Sequence, residues 1–404
     1  MNSLQSSRRL NGLDTLRAAA IGLVFMYHYL VTVSHERTFG LGSAIGWVGV
    51  DLFFVLSGYL IGNQLFATMA SGQKIALWRF YGRRFLRTLP NYTVVLALYF
   101  VFPLAMGGSP PPALWRFLTF TQNFGLPTGT AFSHAWSLCI EEQFYLVLPA
   151  ISLLVGATRS VRLGWIILLA MMLAGVAART ALWLRHGADG EMYYRYIYYA
   201  TWCRFDELLP GVALALLKNF HPLRWQRLTR HGNRTLLIGV CSTALTFTLF
   251  LHFHEASPDG YRFWMTALGY PMLAVSFAVL TLAALSPDSW LHRLRIPGAS
   301  SLALWSYAIY LTHKPVLFML KSPLARAGID VKAPLGISVM CAASVLAGWL
   351  LFVCVETPGM RLRERWFGTP ARGDRAVPAV PAPLCEASDT DSRPVQISEG
   401  IPTP

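Results

Sequence analysis

Arg17 and His28 stand eleven residues apart in LDTLRAAAIGLVFMYHYLVTVS, the first long apolar stretch of the chain. Eleven residues make about three helical turns and about 16 Å of rise, so a helix here carries both groups on one face. The guanidinium would lie near one end of a membrane span and the imidazole near its middle. Ionisable groups at that depth cost roughly 2.5 to 3.5 kcal/mol, and chains that keep them generally use them. Asp14, three residues before Arg17, shares that face and can neutralise the guanidinium at the boundary. The blander alternatives are an interhelical hydrogen bond for His28 and a snorkelling anchor for Arg17.

A second constellation is HAWSLCIEEQFY, His134 to Tyr145. Ser137, Glu141 and Tyr145 recur every four residues and form one polar stripe, with Glu141 about 10 Å into the helix. Glu142 points elsewhere. Glu141 is the candidate functional acid, the alternative being a structural partner for Arg204 or another buried base. Helix directions alternate, so the depths of His28 and Glu141 agree and the two could meet. A carboxylate that orients an imidazole while the imidazole removes a hydroxyl proton is an acid-base arrangement.

A third element is WRFYGRRFLRTLP, Trp78 to Pro90. Arg79, Arg83 and Arg87 repeat every four residues, with Arg84 beside them, giving one guanidinium-lined face. Such forks match phosphate oxygens in pairs, so a polyphosphate nucleotide is a natural partner; anchoring on anionic lipid is the alternative. In WVGVDLFFVLSGYLIG, Asp51 and Ser57 are polar groups among glycines that permit close approach of a neighbouring backbone or of a slim ligand. Arg204 with Asp206, Tyr307, Tyr310 and His313 in WSYAIYLTHKPV, and Glu356 read as polar glue between helices or as supporting site residues.

These residues need a membrane to position them. With 54% hydrophobic and 13% charged residues over 404 positions, the composition excludes an ordinary soluble domain. Stretches near 13–34, 45–67, 89–107, 134–156, 161–184, 202–218, 235–254, 264–286, 301–320 and 335–355 are each long enough to cross a bilayer. The expectation is an all-α, polytopic membrane helix bundle of about ten transmembrane helices. The net charge of +14 sorts into alternate loops, which predicts cytoplasmic termini and makes nucleic-acid binding an unneeded explanation. The basic N-terminal flank precedes no small-residue cleavage site, so the first span reads as uncleaved. Residues 1–12 read as a cytoplasmic segment, 13–366 as the membrane domain and 367–404, rich in Pro, Ala, Ser and Asp, as a disordered cytoplasmic tail. The six cysteines form no CxxC pair, so neither a metal site nor a disulfide framework is expected.

Taken together, Arg17 with His28, GVDLFFVLSGYLIG, the arginine run, HAWSLCIEEQFY and SYAIYLTHKPV resemble the acyltransferase-3 family of membrane O-acyltransferases, in family order from about residue 10 to about 366. The resemblance implies a ten-helix bundle of a bacterial inner membrane that moves an acyl group, commonly acetyl, from cytoplasmic acyl-CoA onto a hydroxyl. The acceptor would be a sugar, polysaccharide, glycolipid or macrolide. By residue it implies that His28 is the essential histidine, Arg17 its paired base, Glu141 the acid of the SLxxE motif, and Arg84 and Arg87 the RxxR pair. Acyl-CoA is then a co-substrate, with no tightly bound cofactor. Some relatives carry a fused extracytoplasmic domain; the expectation here is none, which would assign acceptor recognition to the bundle, its outer loops or a partner.

The resulting expectation is a charged donor end held by Arg83, Arg84 and Arg87, with Arg17 next along the path. The pantetheine arm would thread past the glycine-rich second helix, and His28, steadied by Glu141, would act on a hydroxyl entering from outside. A variant makes His28 a transient acyl carrier. The rival classes are a proton-coupled transporter, which leaves the arginine face without a purpose, and a non-catalytic assembly subunit.

Overall fold

Long apolar segments in lipid have no water to satisfy their backbone groups, so they must close their own hydrogen bonds as helices. The computed structural model of the chain describes residues 11–187, 189–255 and 261–368, and among these there is helix but no strand. Residues 1–10 of the expected N-terminal segment and 369–404 of the expected tail lie outside the described residues.

We number the long helices α1 (Asn11–Tyr29), α2 (Gly49–Ala70), α3 (Leu77–Val101), α4 (Trp136–Thr158), α5 (Val161–His186), α6 (Leu209–Phe220), α7 (Gly232–Phe250), α8 (Tyr270–Leu285), α9 (Ala299–Arg326), α10 (Pro334–Leu351) and α11 (Thr357–Phe367). A helix occupies each of the ten stretches expected from the sequence. Seven helical segments among the described residues are long and apolar enough to cross a membrane: Asn11–Ser34, Leu41–Ala70, Ser133–Thr158, Val161–His186, Gly232–Phe253, Met265–Leu285 and Pro334–Phe367. The other three places are held by α3, α6 and α9, which contain the arginine run, Lys218 and the His313-Lys314 pair. In α3 the helix runs from Leu77 straight through Pro90, so the arginine-rich stretch and the apolar stretch are one continuous element rather than a surface helix followed by a span.

The centre of the bundle is α2, buried on nearly all sides, as expected of a helix that is apolar around its whole circumference. It packs most extensively on α6, and also on α1, α8 and α4, while α1 lies along α9. The crossing of α2 and α6 depends on glycine. A Cβ on Gly58 would lie 2.0 Å from the carbonyl oxygen of Leu208, and one on Gly211 would lie 2.0 Å from that of Val55. Gly46 and Gly49 meet the carbonyls of Leu23 and Ala20 on α1 in the same way, at 2.2 and 2.4 Å. The glycines of the second span are therefore used up by helix packing. The cavity wall on this helix is built from other residues, among them Ser57, Asn63 and Gln64.

A buried ionic cluster ties α2, α5 and the turn before α6 together. Arg204 donates to Asp51 Oδ1 at 2.8 Å and to Glu207, and Arg179 donates to both carboxylate oxygens of Asp206 at 2.7 Å. All five side chains are buried. Charges this deep are tolerated when paired, and removing one partner of such a pair costs about 3 to 5 kcal/mol.

Candidate active site

Two cavities are stacked along the face of α1 that carries Arg17 and His28. The first, of about 530 Å³, lies toward the start of α1. Its wall includes Arg17, then Ser57 and Gln64 of α2, Arg83, Arg84 and Arg87 of α3, Glu141, Glu142 and Tyr145 of α4, Tyr307 and Tyr310 of α9, and Arg363 of α11. Five guanidinium groups against two carboxylates make this space strongly electropositive. The second cavity, of about 370 Å³, lies toward the far end of α1. His28, His134 and Lys314 line it together with Tyr27, Trp47, Trp136, Tyr194, Tyr198 and Tyr199. Val50 and Tyr310 belong to both walls, so the two spaces share a partition.

On the arginine side, helix spacing brings Arg83, Arg84 and Arg87 to one face of α3, and α11 packs back onto α3 to add Arg363. Arg83 donates to the carbonyl of Gly368, which clamps the end of α11 against the run. The Arg84 guanidinium stacks 3.8 Å from the centre of the Tyr145 ring, with its Nε 3.7 Å from Glu142. Glu142 therefore faces the same cavity as Glu141 instead of pointing elsewhere. Ser57 donates to Glu141 Oε1 at 2.9 Å. Arg204, the alternative partner weighed for Glu141, is engaged with Asp51 and Glu207 instead.

On the other side, His28 does not pair with Glu141, which belongs to the arginine cavity. Its Nδ1 lies 2.9 Å from Nε2 of His313. The network fixes the tautomers. His313 Nδ1 lies 2.9 Å from the carbonyl of Ile309, one turn earlier in α9, and only an N–H can bind there. A neutral His313 is then bare at Nε2 and accepts from His28 Nδ1–H, which leaves the lone pair of His28 on Nε2. A histidine held in one tautomer by a second group is the arrangement a general base needs. His134 packs edge-on to His28, ring centres 6.0 Å apart, and the helix widens into a π-type turn over Leu30–Ser34 just past His28.

The Tyr310 hydroxyl is held in place. Tyr310 OH donates to the carbonyl of His134 at 2.6 Å and so accepts from Ser137 Oγ at 2.7 Å, which joins α9 to α4.

The structure thus gathers Arg17, Arg83, Arg84, Arg87, Ser57, Ser137, Glu141 and Tyr145 on one cavity and His28 on the other, with His313 directly behind it. Asp14 lies one turn before Arg17, off both walls. Asp51 and Arg204 form the ionic cluster; the Arg204 guanidinium stacks 4.6 Å from the Tyr198 ring and 5.1 Å from that of Trp136, so the cluster braces two walls of the His28 cavity. Sequence reasoning missed His134, Lys314 and Arg363 as lining residues. The first two stood in motifs already singled out, at HAWS and THKP. Arg363 lay beyond the last span and read only as a topology signal. No cluster of metal-ligating side chains occurs among the described residues.

Comparison with known proteins adds a second line. A family model described as an acyltransferase domain, Acyl_transf_3, matches residues 10–353. The chain is 31% identical over 387 residues to the peptidoglycan O-acetyltransferase OatA of Listeria monocytogenes, covering 87% of this chain and 56% of that protein. It is 30% identical over 390 residues to the putative peptidoglycan O-acetyltransferase YrhL of Bacillus subtilis, covering 89% and 57%. It is 26% identical over 385 residues to the O-acetyltransferase OatA of Staphylococcus aureus, covering 91% and 59%. The chain therefore spans a little over half the length of the curated relatives it matches. No solved structure matches it.

Proposed function

Because the chain belongs to the acyltransferase-3 family, we propose that it transfers an acyl group, in the first instance acetyl, from acyl-CoA to a hydroxyl of a carbohydrate. The observation that carries this reading is the pair of cavities sharing Val50 and Tyr310, one crowded with guanidinium groups and the other holding a single-tautomer histidine. Coenzyme A ends in phosphates, which planar guanidinium forks bind in pairs, so Arg83, Arg84, Arg87 and Arg363 take that end. Its arm carries amide N–H groups, and Glu141, held by Ser57, is an acceptor for them along the cavity. Arg17 lies further along the same wall. The thioester then reaches the partition at Tyr310.

The acceptor hydroxyl enters the aromatic cavity. His28 Nε2 takes its proton, the oxygen forms a bond to the thioester carbonyl carbon, and the carbon–sulfur bond breaks. The proton passes from His28 to the departing thiolate, giving an ester and free coenzyme A. His313 accepts from the Nδ1–H of the imidazolium throughout. Bringing the thioester and the hydroxyl into contact at the Val50–Tyr310 boundary supplies proximity, where much of the rate gain of a transferase arises. The relatives named as peptidoglycan O-acetyltransferases support a polysaccharide acceptor and an acetyl group. The transporter reading leaves the guanidinium-lined cavity without a role.

The test is a purified, full-length preparation given labelled acetyl-CoA and a panel of glycan and glycoside acceptors. Alkali-labile acetyl should appear on an acceptor with the natural chain and not with H28A. Equal labelling by both proteins would remove His28 from the chemistry, and no consumption of acetyl-CoA with any acceptor would overturn the reading.

A further inference from the structure

The His28 cavity contains a cation that nothing in the mechanism above uses. Lys314 Nζ donates to Ser133 Oγ at 2.9 Å, and among the described residues no carboxylate pairs with it. The titratable groups on its wall are His28, His134 and tyrosines, and no carboxylate is among them. Two of its three N–H donors are left for whatever occupies the cavity. An ammonium lining a cavity without an anionic partner is costly, and the cost is offset when the occupant brings the anion. The rest of the wall is largely flat aromatic surface, which suits the C–H-rich face of a sugar ring. The ammonium lies on the same wall as His28, beside the helical turn that carries His313.

We propose that Lys314 binds a carboxylate on the acceptor, so that the substrate is an acidic sugar whose carboxylate sits on Lys314 while its hydroxyl faces His28. A single ammonium with two free donors matches the single charge and two oxygens of a carboxylate. The partner is thus a carboxylated glycan and not a neutral one. The proposal takes from the acyl-transfer reading only that this cavity is the acceptor's.

The test separates binding from turnover. Methyl β-glucuronide, methyl β-glucoside and methyl β-glucoside 6-phosphate are titrated against the full chain in nanodiscs, with ligand-observed NMR giving the affinities. The glucuronide should bind about tenfold or more tightly than the glucoside, as expected of a charge-assisted hydrogen bond out of bulk water. K314Q should bring the two to equal affinity, and K314R should restore most of the difference. Loss of glucoside binding as well in K314Q would mark a misfolded variant, and K314R then decides alone, by keeping or losing the preference. Equal binding of glucuronide and glucoside by the natural chain, or a preference that survives K314Q, overturns the proposal. Tighter binding of the phosphate than of the glucuronide overturns the carboxylate assignment. A glucuronide preference without any acetyl transfer would sink the acyl-transfer reading and leave the Lys314 site standing.

Discussion

Replacing His313 by leucine removes the acceptor that His28 Nδ1–H uses, without touching either cavity's cations. The bond is 2.9 Å long in the resting state, between neutral rings, and would be worth about 0.5 to 1.5 kcal/mol. When His28 holds the hydroxyl proton the same donor becomes cationic, and a hydrogen bond to a charged group is worth about 1.5 to 3 kcal/mol. Only the part gained in the transition state, about 1 to 1.5 kcal/mol, appears in kcat, as a fall of about 5- to 13-fold. The donor KM should change little, because His313 faces the second cavity's histidine and not the arginines. H313Q offers a carbonyl oxygen at a comparable reach and should recover much of the loss. The assay is initial-rate acetyl transfer at saturating acetyl-CoA, with expression and thermal unfolding checked for each variant. A fall of less than twofold in H313L, or a loss confined to donor KM, would refute the positioning role.

Three further outcomes follow from the geometry. The double variant R87Q/R363Q removes two guanidinium groups from the rim and should raise the donor KM about tenfold or more, measured by varying acetyl-CoA; an unchanged KM would remove them from the donor site. G58V sets a side chain 2.0 Å from the Leu208 carbonyl and should destabilise the protein by about 1 to 3 kcal/mol or more, read as a lower unfolding temperature in detergent; unaltered stability would contradict the close α2–α6 crossing. R204M leaves Asp51 and Glu207 buried without their cation and should cost about 3 to 5 kcal/mol, and adding D51N and E207Q should recover a large part, which thermal unfolding of the single and triple variants checks.

What the sequence made legible was position along the membrane normal. Residue counts put Arg17 and His28 on one face of one helix, and the two cavities are stacked on that face. The four-residue repeat in the arginine run likewise gathered its members on one wall. What it left obscure was rotation about the helix axes. Matching depths made His28 and Glu141 look like partners, yet the neighbour that α9 turns toward His28 is His313, because α1 lies along α9 while Glu141 faces α2 and α3. The glycines of the second span illustrate the same limit: their spacing allowed either a ligand or a backbone to approach, and the carbonyls of Leu208, Leu23 and Ala20, which meet Gly58, Gly46 and Gly49, decide for backbone. Arg363 joins the arginine cavity through the fold-back of α11, a contact between distant segments that no local pattern encodes.

The central claim is that the donor and the hydroxyl approach the Val50–Tyr310 partition from opposite ends of the bundle. Sealed vesicles carrying the protein in one orientation, with acetyl-CoA outside and a membrane-impermeant glycan inside, test this most directly. The account predicts acetyl ester on the enclosed glycan, abolished by H28A. Ester formed only when glycan and acetyl-CoA share one compartment would contradict it.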